Sequence, residues 1–152
     1  MAGRDALGLF VDVDHTEENW KKAWPLLKKN TALEAHGVEL LRVNDFEIVL
    51  RMEIGGHAKQ PFGLLHGGIS MLLAESAASL HSCWGLDLPN YYPVGIEISG
   101  SHLRSAMEGA VLAIGKIVRR SQTLVHHQVD IVAEDSAKVL SSVRVTNLIR
   151  KS

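Results

Sequence analysis

A chain of 152 residues is long enough for one domain with a real core and too short for two ordinary ones. Its net charge of −1 removes any broad electrostatic case for binding nucleic acid or a membrane surface. No apolar run reaches bilayer-spanning length, and the single cysteine, Cys83, excludes an internal disulfide and suits a reducing compartment, so a cytoplasmic protein is expected.

Residues 1–14 lack the basic start and continuous apolar segment of a signal peptide and read as loosely ordered. A helix is expected from Thr16: Glu17 and Glu18 favour its first turn, Trp20, Trp24 and Leu27 share a face, and Pro25 should end or bend it. Thr31-Ala32-Leu33-Glu34 has the spacing of a capping box and opens a short helix that Gly37 stops. Residues 38–43 are β-rich. Residues 46–54 alternate, with Phe46, Ile48, Leu50, Met52 and Ile54 on one face and Glu47, Arg51 and Glu53 on the other.

The stretch from Gln60 to Trp84 organises the rest. A Pro/Gly-punctuated loop leads through His66 into a proline-free run of small and apolar residues, which predicts a helix from Gly67 to Trp84. The stretch contains no Lys or Arg, so Glu75 has no local cationic partner. Leu73, Ala77, Leu80 and Trp84 fall on one face by their spacing; Gly68, Met71, Leu72, Glu75, Ala78, Ser79 and Ser82 fall on the other. Both faces are mostly apolar or small, so this helix should be central, with a sheet on one face and a second subunit near the other.

Beyond it, Gly85–Pro93 reads as a loop, and Val94, Ile96 and Ile98 open another strand. Glu108-Gly109 turns the chain into a strand at 110–119. Residues 123–133 carry Val125, Val129, Ile131 and Ala133 on one face. In 138–149, Val139, Val143, Val145 and Ile149 alternate with Ser142, Arg144 and Thr146. Two strands, one long helix and four strands predict an α+β fold in which an antiparallel sheet wraps one helix.

Elimination narrows the chemistry. There is no G-x-S-x-G elbow, no H-E-x-x-H, no Cys-x-x-Cys, no G-x-G-x-x-G and no P-loop. Cys83, deep in the helix, reads as a small buried residue and not a nucleophile. His126 and His127 are adjacent on a strand and point to opposite faces, which is wrong for joint metal ligation, and no metal site is read. What remains is one helical carboxylate and a glycine-rich helix start. The Gly67 and Gly68 N–H groups stand at the positive end of the helix dipole, where they could polarise a carbonyl and hold an oxyanion. Glu75 could serve as general base or nucleophile. The bland alternatives are that the glycines only permit close packing and that Glu75 is an exposed acid on a mostly buried helix. Gly67 and Glu75 lie about 12 Å apart along one helix, so one helix can hardly present both to the same carbonyl. Two antiparallel copies side by side would bring the acid of one to the helix start of the other.

Gln60-Pro61-Phe62-Gly63-Leu64-Leu65-His66-Gly67-Gly68 and Leu73-Ala74-Glu75-Ser76 resemble the hotdog-fold acyl-CoA thioesterases. The branch is that of the 4-hydroxybenzoyl-CoA and 1,4-dihydroxy-2-naphthoyl-CoA thioesterases and the enterobactin-pathway proofreading thioesterase. Val94-Gly95-Ile96-Glu97-Ile98, His102-Leu103-Arg104-Ser105 and Glu108-Gly109 match the same branch. The resemblance covers residues 31–149 and divides the chain into an N-terminal extension, 1–30, and a hotdog domain, 31–152.

The resemblance implies roles by position. Glu75 matches the catalytic carboxylate, as nucleophile or as base on water, and Gly67 the residue whose N–H polarises the thioester carbonyl. Gln60 and His66 match polar groups near the thioester, supplied by the subunit opposite Glu75. His66 could otherwise be a helix-entry residue bonded to backbone. Ser79 matches a hydroxyl suited to orienting the acid or the water. Gly68, Met71, Leu72, Phe62 and residues of the 84–92 loop would line the acyl pocket. His102, Arg104 and Ser105 match positions near the CoA phosphates. Arg119, Arg120 and Ser121 stand at a later turn where this sequence departs from its relatives, and a solvated turn is the competing reading of Arg119-Arg120. A glutamate where phenylacetate-type relatives carry aspartate implies aryl-CoA substrates. No cofactor is implied beyond the CoA of the substrate, and no membrane or nucleic-acid partner. A dimer is the smallest assembly that completes such a site, and a pair of dimers is usual for the family. Two alternatives stand beside this reading. One is a hotdog hydratase or dehydratase, which would need a histidine deep in the site. The other is a non-catalytic acyl-CoA-binding module, which would bind esters without turning them over.

Overall fold

Alternating side chains build six strands, β1 (Glu39–Val43), β2 (Glu47–Glu53), β3 (Tyr91–His102), β4 (Ala110–Arg120), β5 (Leu124–Ala133) and β6 (Val139–Lys151). In the computed structural model, which describes Gly8 and residues 14–88 and 90–152, they form one antiparallel sheet ordered β1-β2-β4-β5-β6-β3. The helices are α1 (Glu17–Lys28), α2 (Ala32–Ala35) and α3 (Gly67–Cys83). Helix α3 packs against β2, β3, β4, β5 and β6, which is the hotdog arrangement. Among the described residues no helix is long and apolar enough to cross a membrane. The loose order read for residues 1–14 falls, apart from Gly8 and Asp14, outside the described residues.

The core lies between α3 and the sheet. Ile48, Leu50, Met52, Val111, Ala113, Val129, Ile131 and Val143 are fully buried there with Ala74, Ala77 and Ala78, each larger aliphatic contributing about 1.5–3 kcal/mol. Small residues on α3 let it sit close to the sheet. A β-carbon on Gly115 would lie 3.1 Å from Ile48 Cγ2 and 3.7 Å from Ala77 Cβ, so even a methyl group there would press Ile48 aside.

The buried face of α3 is wider than the sequence suggests. It comprises Ser70, Leu73, Ala74, Ala77, Ala78, His81 and Ser82, whereas Leu80 is half-buried and Trp84 is the C-cap. Ala78 and Ser82, read onto the partner face, are therefore core residues, because the sheet curls round more than one stripe of the helix. Other expectations also change. Helix α1 runs through Pro25 without stopping there. Phe46 is exposed beside β2, while Ile48, Leu50, Met52 and Ile54 point inward as expected. Strand β3 begins at Tyr91, inside the segment read as a loop. In β5, His127 shares the inward face of Val125, Val129 and Ile131, and Ala133 is only half-buried. In β6, Asn147 is fully buried between Val145 and Ile149.

Two details of the framework position the site. Between Gly95 and Glu97 the register of β3 against β6 shifts, so that Gly95 faces Asn147 and Glu97 faces Thr146, a bulge at Ile96. Strand β3 is also an outermost strand, and it carries exposed Val94 and Ile96.

Candidate active site

The loop before α3 is fixed by its own backbone. Gln60 N–H donates to Leu64 O at 2.8 Å and Gly63 N–H to Gln60 O at 2.9 Å, a tight turn closed by Gly63 at φ +82°, where a side chain would be strained. Leu65 N–H reaches Ala106 O and His66 N–H reaches Ala58 O, each at 2.8 Å, which sets where the helix begins. His66 is the N-cap: its Nδ1 accepts the Gly68 N–H at 2.8 Å. Of the two glycine donors expected at this end, the Gly68 N–H is therefore occupied. Among the described residues no acceptor takes the Gly67 N–H. It stands at the positive end of α3, a place suited to a developing negative charge.

A β-carbon at Gly67 would lie 2.6 Å from His102 Nε2, so any side chain there would push the His102 ring aside. The His102 ring is held over Gly67 by a 2.8 Å bond between Nδ1 and Ser141 Oγ. A cleft of about 350 Å³ opens here, lined by Gln60, Gly67, Ser70, His102, Arg104 and Ser105 among others. Gln60 Oε1 accepts the Phe62 N–H, which leaves the Gln60 amide donors for a ligand. Arg104 donates to Val139 O at 2.9 Å, which anchors the guanidinium at the rim.

Glu75 stands in a different cleft, of about 440 Å³, lined by Gly68, Met71, Leu72, Glu75, Ser76, Ser79 and Ile98. Glu75 is exposed on the single chain. Its carboxylate lies over Gly95: a β-carbon there would be 2.8 Å from Glu75 Oε1 and 3.8 Å from Asn147 Nδ2. One turn further along α3, Ser79 Oγ accepts a hydrogen bond from Asn147 Nδ2 at 2.9 Å. The apolar walls, Met71, Leu72 and Ile98, can seat an apolar acyl group, and the carboxylate and hydroxyl stand at the polar side.

The structure thus gathers Gly68, Met71, Leu72, Glu75 and Ser79 in one cleft and Gln60, Gly67, His102, Arg104 and Ser105 in another. Phe62, His66, Arg119 and Arg120 line neither. Phe62 is 85% exposed. Arg120 donates to His81 O and Trp84 O, both at 3.1 Å, and so caps the C-terminal end of α3. Desolvation pushes the Cys83 thiol up to about 12, so it carries no thiolate at neutral pH. Sequence reasoning missed Asn147 as a neighbour of the site, and it passed over Gly95 as a place where the carboxylate rests. A polar residue in an inward strand position was the available signal for the first.

Comparison with known proteins is consistent across sequence and structure. The profile of the thioesterase superfamily matches residues 62–140. The 1,4-dihydroxy-2-naphthoyl-CoA hydrolase of Escherichia coli is 32% identical over 135 residues, covering 86% of this chain and 98% of that protein. The hydrolase of the same name from Listeria monocytogenes is 31% identical over 118 residues, covering 78% of this chain and 94% of that one. A crystal structure of a thioesterase from Haemophilus influenzae superposes with a TM-score of 0.81 at 29% identity, over 93% of this chain and 94% of that chain.

Proposed function

The chain belongs to the thioesterase superfamily, and we propose that it hydrolyses acyl-CoA thioesters, of the aryl or hydroxyaryl class, at a site completed by two subunits. The observation that carries this reading is the split of the polar groups. Glu75 and Ser79 of one chain share a cleft with an apolar wall, while the open Gly67 N–H and Gln60 lie in another. An antiparallel partner helix brings the two halves together.

In that site the thioester oxygen accepts the Gly67 N–H, with Gln60 beside it. Glu75 drives the attack, either by taking a proton from water as the water oxygen bonds to the carbonyl carbon or by bonding to that carbon itself. The carbonyl electrons move onto the oxygen facing Gly67, where the helix dipole favours the charge. Collapse of the adduct breaks the C–S bond and the CoA thiolate leaves, to be protonated; where Glu75 has itself bonded to the carbon, water then cleaves the acyl–Glu75 anhydride, which frees the acid and restores the carboxylate. Ser79 orients the carboxylate or the water. His102, Arg104 and Ser105, at the rim of the Gly67 cleft, take the CoA phosphates. The aryl preference is supported by the names of the Escherichia coli and Listeria relatives and by the Met71, Leu72 and Ile98 wall.

Free-thiol release from a panel of aryl and aliphatic CoA thioesters tests the proposal. Release is expected to be fastest with aryl esters and to fall at least a hundredfold in Glu75→Ala, a typical loss for an acid–base group, roughly. Tight ester binding with no release by the wild type would overturn it in favour of a binding module.

A further inference from the structure

Asn147 is a polar residue in a position where the fold calls for an apolar one. On β6 the inward positions run Val143, Val145, Asn147 and Ile149, and Asn147 is fully buried. Its Nδ2 donates to Ser79 Oγ at 2.9 Å. Among the described residues no donor reaches its Oδ1. Burying an amide with one acceptor unmatched costs about 1–3 kcal/mol, which a valine would avoid. Stability does not account for it.

The direction of the bond does. As placed, the amide leaves one N–H and Oδ1 unmatched; turned over, it would aim Oδ1 at Ser79 and leave both buried N–H donors unmatched, which folded proteins tolerate less than an under-satisfied carbonyl oxygen. Asn147 is therefore the donor and Ser79 Oγ the acceptor. A helical serine usually returns its proton to the carbonyl four residues back, as Ser82 does to Ala78 O at 2.8 Å. Among the described residues Ser79 makes no such bond. With one lone pair of its oxygen engaged from beneath, its proton is free to turn into the cleft that it shares with Glu75. Gly95, the register partner of Asn147, has no side chain to separate the amide from the carboxylate above it.

We propose that Asn147 is a positioning residue that holds Ser79 as a hydrogen-bond donor toward the Glu75 carboxylate and the attacking water. The inference rests on the thioesterase reading of the site. It acts through Ser79 alone, so its effect vanishes when the Ser79 hydroxyl is absent.

The test is a double-mutant cycle in thiol release with the best CoA ester, using Asn147→Leu, Ser79→Ala and both together. Leucine keeps the branched shape of the side chain and carries no buried polar atom, and the smaller Asn147→Val, which continues the strand's own inward pattern, replaces it if that variant fails to fold. Asn147→Leu is expected to lower kcat about tenfold with KM within about twofold, the scale of one hydrogen bond. Adding it to Ser79→Ala should change kcat by less than about twofold. An equal loss in both backgrounds, or no loss in the single variant, overturns the inference while the thioesterase reading stands. A wild type that releases no thiol from any ester removes both.

Discussion

Glu75 rests where Gly95 leaves room, an exposed carboxylate lying over a strand glycine. A β-carbon at position 95 would stand 2.8 Å from Glu75 Oε1, closer than unbonded atoms tolerate, so the carboxylate of Gly95→Ala has to move. Displacing a reacting group by about 1 Å costs roughly a hundredfold in rate. Gly95→Ala is thus expected to lose about that much kcat while keeping its fold, since alanine suits a strand better than glycine. Steady-state kinetics with a thermal melt read both. Unchanged kcat would show that the carboxylate position does not matter to the reaction. Glu75 itself was legible in the sequence, because a lone acid on an apolar helix without cationic neighbours is uncommon. Gly95 and Asn147 were not. A glycine and an asparagine in strands look ordinary until the register places one opposite the other and both under α3.

At the scale of elements, α1 and the seam between α3 and β5 each carry a prediction. Helix α1 continues through Pro25 because its buried face, Trp20, Ala23 and Trp24, anchors it, with Trp24 Nε1 donating to Val38 O at 3.2 Å. Packing outweighs the local break, so of the two outcomes read at Pro25, an end or a bend, the helix does not end there. Exposed Pro25 still leaves the Lys21 carbonyl without its i+4 donor. Pro25→Ala is expected to raise stability by about 1–3 kcal/mol, measured by urea unfolding. At the seam, His81 Nδ1 and His127 Nε2 are 3.0 Å apart and His81 Nε2 lies 2.7 Å from Asn44 O. Since His81 Nε2 donates to the carbonyl, His81 Nδ1 accepts from His127, and both rings are neutral. Burial lowers both pKa values; that of His127 falls to about 3, with His81, Arg120 and His126 adding to the effect of burial. The unfolded chain takes up these protons below about pH 6.5, while folded His127 does so only near 3. Stability is therefore complete above about pH 6.5 and declines as pH falls toward 3, by up to about 1.4 kcal/mol per pH unit per ring. Urea midpoints between pH 8 and pH 5 should be flat and then fall, and His127→Gln should flatten the fall. That His127 points inward followed from strand alternation; that it meets His81 depended on how α3 sits across the sheet.

The whole molecule raises the question of what completes the site. The order of elements and the central helix could be read from periodicity, and the spacing of Gly67 and Glu75 already implied that one copy is insufficient. Which surface receives the second copy could not be read, because it depends on which strand ends the sheet. Two strands end it, β1 and β3, and β3 is the one that has Glu75 resting over its Gly95, with Val94 and Ile96 exposed along it. A second β3 set antiparallel against it would satisfy the open edge and bury these side chains. It would also bring the partner's α3 alongside with its N-terminus toward Glu75. Such an isologous pair contains two sites, each with Glu75 from one chain and Gln60 and the Gly67 N–H from the other. Glu75→Ala and Gln60→Ala should then each be nearly inactive alone. Unfolded together and refolded as an equal mixture, half the dimers become mixed, and each mixed dimer regains one site free of both substitutions. Activity should recover to about a quarter of wild type, the statistical share of intact sites in a two-fold dimer. Recovery to no more than the sum of the two variants would mean that each chain works with its own Gln60 and Glu75, and the shared site would have to be abandoned.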